Sequence, residues 1–171
     1  MDARNGMERT TGKPSMTVER TAERELVVTR LVNGPARIVF DAWAKADLFK
    51  RWWVPKSCGL TLLSCDMDVR VGGKYRLVFT NGDSAQFAVF GTYVEVVPPS
   101  RLAWTNEEAG DAGPVTTVTF MEKNGATMVV MHELYPSKEA LDAAMASGEK
   151  SGMPETFEQL DDFLLTLGAG V

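Results

Sequence analysis

Residues 51–75, RWWVPKSCGLTLLSCDMDVRVGGKY, and residues 91–104, GTYVEVVPPSRLAW, decide the fold. In the first stretch a tryptophan pair runs into Pro55, a strand-forming segment follows from Cys58 to Val69, and Gly72-Gly73 turns the chain back. In the second, a β-branched run closes at Pro98-Pro99 and a new strand starts at Arg101. Short strands between Gly, Pro and Asn turns read as consecutive antiparallel partners.

The same pattern extends outward. Residues 74–80 alternate, with Tyr75, Leu77 and Phe79 on one face. Asn81-Gly82-Asp83 is a hairpin signal. Residues 85–97 form a long strand in which Gly91 marks a bulge or a close approach. Residues 101–106 place Leu102 and Trp104 together. After a polar loop, residues 115–123 and 126–134 pair across Asn124-Gly125. Upstream, residues 24–33 (RELVVTRLVN) form the first strand and Asn33-Gly34-Pro35 ends it. Between the first and second strands the period changes. Ile38, Val39, Ala42 and Trp43, then Leu48, Phe49, Trp52 and Trp53, recur at helical spacing, with Asp47 placed to cap a second short helix. Downstream, Ser137 starts a helix reaching about Ala146, and Gly148 and Gly152 interrupt it. Pro154 suits the first turn of a final helix whose stripe is Met153, Phe157, Leu160, Leu164 and Leu167.

The expected fold is α+β: a seven-stranded curved antiparallel sheet wrapped around a long C-terminal helix, with a short helix pair between strands 1 and 2. The helix covers the sheet face that water cannot. Residues 1–20, with Gly12 and Pro14, read as a flexible polar tail whose end can add to the strand that follows, and residues 21–171 as one domain. A chain of 171 residues, 44% hydrophobic and 24% charged, is ample for one core.

The net charge of −5 without a basic cluster argues against a nucleic-acid partner. No apolar run reaches the roughly 18–20 residues that a membrane helix needs, so no membrane insertion is expected. The N-terminal residues lack a secretory apolar stretch, which makes the cytoplasm the expected location. Cys58 and Cys65 lie about 23 Å apart on an extended chain, too far for a disulfide, and read as reduced thiols.

Few residues carry chemistry. His132 is the sole histidine. Met128 and Val130 read as core-facing, which points His132 inward as a satisfied core histidine, a ligand contact or a general base. One histidine and two distant cysteines do not make a metal site. Asp66 and Asp68 read as solvated, with Asp68, Arg70 and Lys74 as a surface ion group. Asp161-Asp162 reads as a wet helix face. Arg30, in line with Val28 and Val32, points to a cavity end or to a carboxylate such as Glu95. Gly72-Gly73 lacks the context of a phosphate loop.

The aromatic residues say more. Trp52, Trp53, Tyr75, Phe79, Phe87, Tyr93, Trp104, Phe120 and Phe157 are either core or the lining of a pocket. With Leu77, Val130, His132, Met153 and Leu160 they make up the expected ligand cavity. Tyr93 and His132 are its polar handles.

Residues 38–43 (IVFDAW), 51–53 (RWW), 68–73 (DVRVGG), 98–102 (PPSRL) and the helix from Phe157 to Leu164 together resemble the SRPBCC superfamily, with the helix-grip fold of START and birch-pollen-allergen domains. Within it the chain is most similar to bacterial proteins named after the C-terminal domain of the heat-shock protein 90 ATPase activator. The resemblance covers about residues 24–167. Where members usually carry an aromatic before the last helix, this chain has Met153-Pro154, which softens one end of the cavity.

The resemblance implies an internal cavity between the sheet and the C-terminal helix for a small apolar or aromatic molecule, with no cofactor. It also leaves open a cofactor-free cyclase- or hydrolase-like enzyme, for which His132 and Tyr93 are the minimal acid–base pair, and a module that interacts with a chaperone partner. A homodimer is compatible with it.

Overall fold

The computed structural model describes residues 16–82, 85–148 and 152–167. Its single sheet has eight strands: β1 (Thr17–Ala22), β2 (Glu25–Val32), β3 (Thr61–Met67), β4 (Lys74–Thr80), β5 (Gln86–Val97), β6 (Arg101–Thr105), β7 (Val115–Lys123) and β8 (Ala126–Leu134). Their order is β1-β2-β8-β7-β6-β5-β4-β3, and every neighbouring pair is antiparallel. β3 to β8 follow one another as a meander, while β2 crosses to pair with β8 from Glu25↔Leu134 to Val32↔Thr127. Register shifts between Leu62 and Ser64 and between Tyr93 and Glu95 bend β3 and β5.

The eighth strand, β1, is an addition to the seven expected. It falls at the end of the polar tail, where TVERTA pairs with β2 and stays largely exposed. The rest of the expected tail lies outside the described residues, as does Asp83 of the hairpin signal. The segment expected as one strand from Cys58 is shorter. Lys56–Cys58 form a 3-10 turn, Gly59 takes a positive φ of 78°, and pairing begins at Thr61.

Among the described residues four α-helices accompany the sheet: α1 (Ala36–Ala44), α2 (Ala46–Phe49), α3 (Lys138–Ser147) and α4 (Met153–Thr166). α1 opens after Pro35 and buries Ala36, Val39, Phe40, Ala42 and Trp43. The Glu122 carboxylate on β7 accepts from the Ala36 N–H at 2.9 Å, satisfying one of the first-turn donors. Asp47 does not cap α2: Lys45 occupies the cap and Asp47 sits exposed inside the first turn, where its charge suits the helix dipole. Ser137 caps α3 by accepting from the Ala140 N–H at 3.0 Å, and Gly148 closes it with φ 73°. α4 buries Met153, Thr156, Phe157, Leu160 and Leu164. It ends at Thr166, so Leu167 drops out of the stripe and is exposed.

α4 is fastened at two levels. The Gln159 amide donates to Trp52 O and Val54 O at 2.9 Å each and accepts from the Lys56 N–H at 2.9 Å. Arg30 on β2, 3% exposed, meets Asp161 at 2.9 Å and also lies 5.8 Å over the Phe157 ring. Arg30 therefore reaches a carboxylate, but it is Asp161 of α4. Glu95 instead pairs with Arg101 across two exposed side chains. Asp161 is correspondingly not on a wet face. Its second oxygen accepts from the Asn33 N–H.

One face assignment inverts. On β8 the buried residues are Thr127, Val129, Met131 and Glu133, while Met128, Val130 and His132 point to the outer side. Both sets are largely apolar, so period two gives the alternation without saying which set faces the core. Thr127 settles the inner side by donating to Gly34 O at 2.7 Å, and Glu133 by accepting from Thr116 and Tyr135 at 3.2 Å each.

Candidate functional site

A small cleft lies between the inner face of β3–β6 and the helix pair α1 and α2. α1 contributes Trp43, α2 Phe49, and the chain after it Trp53. The sheet contributes Met67, Tyr75, Leu77, Val89, Tyr93 and Trp104, with Asn106 just beyond β6. The space is about 70 Å³ and none of its lining residues is charged. Trp53, Met67, Val89, Trp104 and Asn106 are only half-buried, which puts the mouth of the cleft on their side.

Gly91 shapes the sheet wall. A Cβ there would stand 1.9 Å from Thr105 O and 2.8 Å from Tyr75 Cε2, so the close approach read at Gly91 is real and only glycine permits it. The bulge of β5 lies further on, between Tyr93 and Glu95.

Trp43 is the centre of the aromatic cluster. Its ring meets Trp52 at 5.0 Å, Trp53 at 5.7 Å, Phe120 at 5.9 Å and Trp104 at 6.2 Å, mostly in edge-to-face or tilted arrangements. Phe49 stacks on Trp53 at 4.8 Å. The Trp52 indole donates to Ala42 O at 3.0 Å, but the buried Trp43 Nε1 meets no acceptor among the described residues.

The other polar groups of the cleft divide into used and free. The Tyr75 hydroxyl donates to Thr105 O at 2.8 Å. The Asn106 amide donates to Pro114 O and Thr116 Oγ1, each at 2.9 Å. No described residue hydrogen-bonds the Tyr93 hydroxyl, whose ring packs 5.7 Å from Tyr75 and 6.5 Å from Trp104. Burial pushes both phenols well above the ordinary tyrosine range, so they stay neutral. Burial, then the neighbouring Asp66 charge, raises the Cys65 thiol to about 11, which leaves it protonated and unreactive. Cys58 and Cys65 are both free thiols.

Of the residues expected to line a cavity, Trp53, Tyr75, Leu77, Tyr93 and Trp104 meet in this cleft. Trp52, Phe79, Phe120, Met153, Phe157 and Leu160 belong to the packed core instead. The α4 residues fill the space under the sheet, so the cleft opens against α1 and α2 and not against the C-terminal helix. Phe87 stacks on Phe79 at 5.3 Å but sits at the sheet rim, 47% exposed.

Val130 and His132 are on the outer face. His132 Nε2 lies 3.1 Å from Glu25 Oε1 there. His132 and Tyr93 thus stand on opposite sides of the sheet and make no acid–base pair.

Sequence reasoning missed Trp43, Phe49, Met67, Val89 and Asn106. Val89 was accessible from the alternation that links it with Phe87 and Tyr93, and Met67 from its place opposite Asp66. Trp43 and Phe49 were visible as helical apolar positions, with nothing to show that they border a space. Asn106 carried no signal. Among the described residues no group of three or more His, Cys, Asp or Glu could hold a metal, and no helix is long and apolar enough to cross a membrane.

Solved structures share this architecture. A protein from Rhodobacter sphaeroides aligns with a TM-score of 0.82 at 22% identity, covering 90% of this chain and 99% of that one. Proteins from Nitrosomonas europaea (TM-score 0.78, 22% identity, 88% and 99% covered) and Mycobacterium smegmatis (TM-score 0.74, 22% identity, 88% and 97% covered) align similarly. At these identities the likeness is one of fold. None of the curated proteins matches the sequence. A family model described as "Activator of Hsp90 ATPase homolog 1-like protein" matches residues 33–164, from the end of β2 through most of α4. With that match over most of its length, and a helix-grip sheet carrying it, the chain belongs to the activator of Hsp90 ATPase homolog 1-like family.

Proposed function

We propose that this protein binds a small, uncharged apolar or aromatic molecule in the cleft between α1, α2 and β3–β6. The observation that carries the reading is the lining itself: ten residues, mostly aromatic or aliphatic, without one charge. Sites for small molecules are typically of this kind, apolar with a few polar groups that fix orientation. An apolar cavity of about 150 Å³ takes benzene. At about 70 Å³ the cleft encloses part of such a ligand, and the half-buried mouth residues cover the remainder. The free thiols suit a reducing compartment such as the cytoplasm.

Native mass spectrometry of the purified protein, followed by a thermal-shift screen of apolar and aromatic compounds, tests the reading. A ligand at a hundredfold its Kd adds about 2.7 kcal/mol, which raises Tm by roughly 5–10 °C in a domain of this size. No bound mass and no dose-dependent shift across a broad panel overturns it.

The family match favours a second reading, a chaperone-interaction module. Stimulation of a heat-shock protein 90 ATPase by the purified chain supports it, and an unchanged hydrolysis rate removes it.

A further inference from the structure

Trp53 is held in the cleft wall by a helix that does not line the cleft. Of the ten lining residues only Trp53 and Asn106 stand outside strands and α-helices. Asn106 follows β6 directly, and its amide is fixed by Pro114 O and Thr116 Oγ1. Trp53 belongs to the link between α2 and β3. Among the described residues no strand pairs with positions 52–57, and α4 side chains take up their backbone groups instead. Gln159 donates to Trp52 O and Val54 O and accepts from the Lys56 N–H, each at 2.9 Å. The Thr156 hydroxyl is shared between Trp53 O at 3.3 Å and Gly152 O at 3.1 Å. Glu155 accepts from the Ser57 N–H at 3.1 Å and from the Ser57 hydroxyl. At the other end of the link, the Trp52 indole is bonded to Ala42 O of α1.

These bonds decide which wall of the cleft can give. The enclosed space is about 70 Å³, whereas an apolar cavity that takes benzene holds about 150 Å³. A one-ring compound therefore fills both the space and the mouth, and a second ring fits only where a wall retreats. The sheet wall is held by ladders of backbone bonds, which open as a unit, and Trp43 is wedged among Trp52, Trp53, Trp104 and Phe120. The Trp53 wall rests on side-chain bonds that can yield singly. We propose that Gln159, seconded by Thr156, is a positioning residue that sets how large a ligand the cleft admits, because it fixes the link that carries Trp53. This rests on the binding function proposed above and adds the size class of the ligand, about one ring, and the residue that sets it. Gln159 acts through the link and touches no ligand.

The test compares two one-ring hydrocarbons, toluene and ethylbenzene, with two two-ring ones, naphthalene and 2-methylnaphthalene, in NMR titrations of the full chain. In the wild type the two-ring compounds are expected to move the side-chain amide resonances of Gln159, and the one-ring compounds to leave them in place. Gln159→Leu keeps the bulk and loses all three bonds. It is expected to shift the affinity ratio about tenfold toward two rings, the equivalent of one hydrogen bond no longer broken on binding. Thr156→Val removes one shared bond and shifts the ratio about threefold. Asp161→Asn weakens the attachment of α4 to Arg30 on β2 without touching the link, so its ratio is expected to match the wild type. The wild-type amide signal answers the question even where Gln159→Leu fails to fold. Two-ring compounds that bind the variants alone support the inference in its strongest form.

Two-ring binding with an unmoved Gln159 amide, an unchanged ratio in both variants, or an equal shift in Asp161→Asn overturns this inference and leaves the binding function standing. No binding of any of the four compounds up to its solubility, by wild type or variants, overturns both.

Discussion

Asp161→Asn removes the carboxylate that pairs with Arg30. The pair is short, at 2.9 Å, and shielded: the side chains are 3% and 16% exposed. Such a pair contributes little net stability, because both ions lose their water, but breaking it leaves an uncompensated buried charge and costs about 3–5 kcal/mol. Asparagine keeps an oxygen for the Asn33 N–H, and Arg30 still donates to Leu31 O at 2.6 Å, so the expected cost lies near the lower end, about 3 kcal/mol. For a domain of this size that lowers Tm by roughly 6–12 °C. It is a large part of a total stability of about 5–15 kcal/mol.

Urea unfolding followed by tryptophan fluorescence measures the cost, and hydrogen exchange along α4 shows whether the loss is felt there. Replacing both partners, Arg30→Leu with Asp161→Leu, is expected to be less harmful than Asp161→Asn alone, since no ion is left stranded. A cost below about 1 kcal/mol for Asp161→Asn, or a double variant as unstable as the sum of its singles, refutes the reasoning.

Gly91→Ala drives a Cβ into Thr105 O, so urea unfolding is expected to show a loss of at least about 3 kcal/mol, beyond ordinary overpacking because backbone must give way. His132→Ala breaks only an exposed pair with Glu25, so stability changes by less than about 1 kcal/mol and ligand-induced thermal shifts are unaltered. Cys65, Tyr75 and Tyr93 all have raised pKa values, so the unfolded chain releases these protons before the folded one. Their contribution is intact below about pH 9 and is lost as pH climbs through the thiol and then the phenol range. Circular dichroism at rising pH should show this alkaline loss, with Tyr93→Phe moving its midpoint upward.

The strands were legible because their boundaries are written in turn residues: Gly72-Gly73, Asn81-Gly82, Pro98-Pro99 and Asn124-Gly125 each stand between two of them. The sheet wall of the cleft was legible too, since Tyr75, Leu77 and Tyr93 alternate with exposed neighbours. The helix wall was not. Trp43 and Phe49 carry the same apolar signal as any sheet-facing helix residue, and only the packing around them shows a gap. Pairing across distance was hidden for another reason. Arg30 and Asp161 are 131 positions apart, and a charge in a sequence does not name its partner. β8 misled because its outer face is nearly as apolar as its inner one.

That two-sided character has a consequence for how β8 finds its alignment. Sliding the strand by one position would exchange Val129 and Met131 for Met128 and Val130, a trade that the hydrophobic effect hardly opposes. Thr127 and Glu133 act as end stops. Their bonds to Gly34 and Thr116 exist in one alignment only, and a slide would abandon them while drawing His132 inside. Polar groups at the two ends of an oily strand thus do for β8 what its oil cannot: they tell it where to stop.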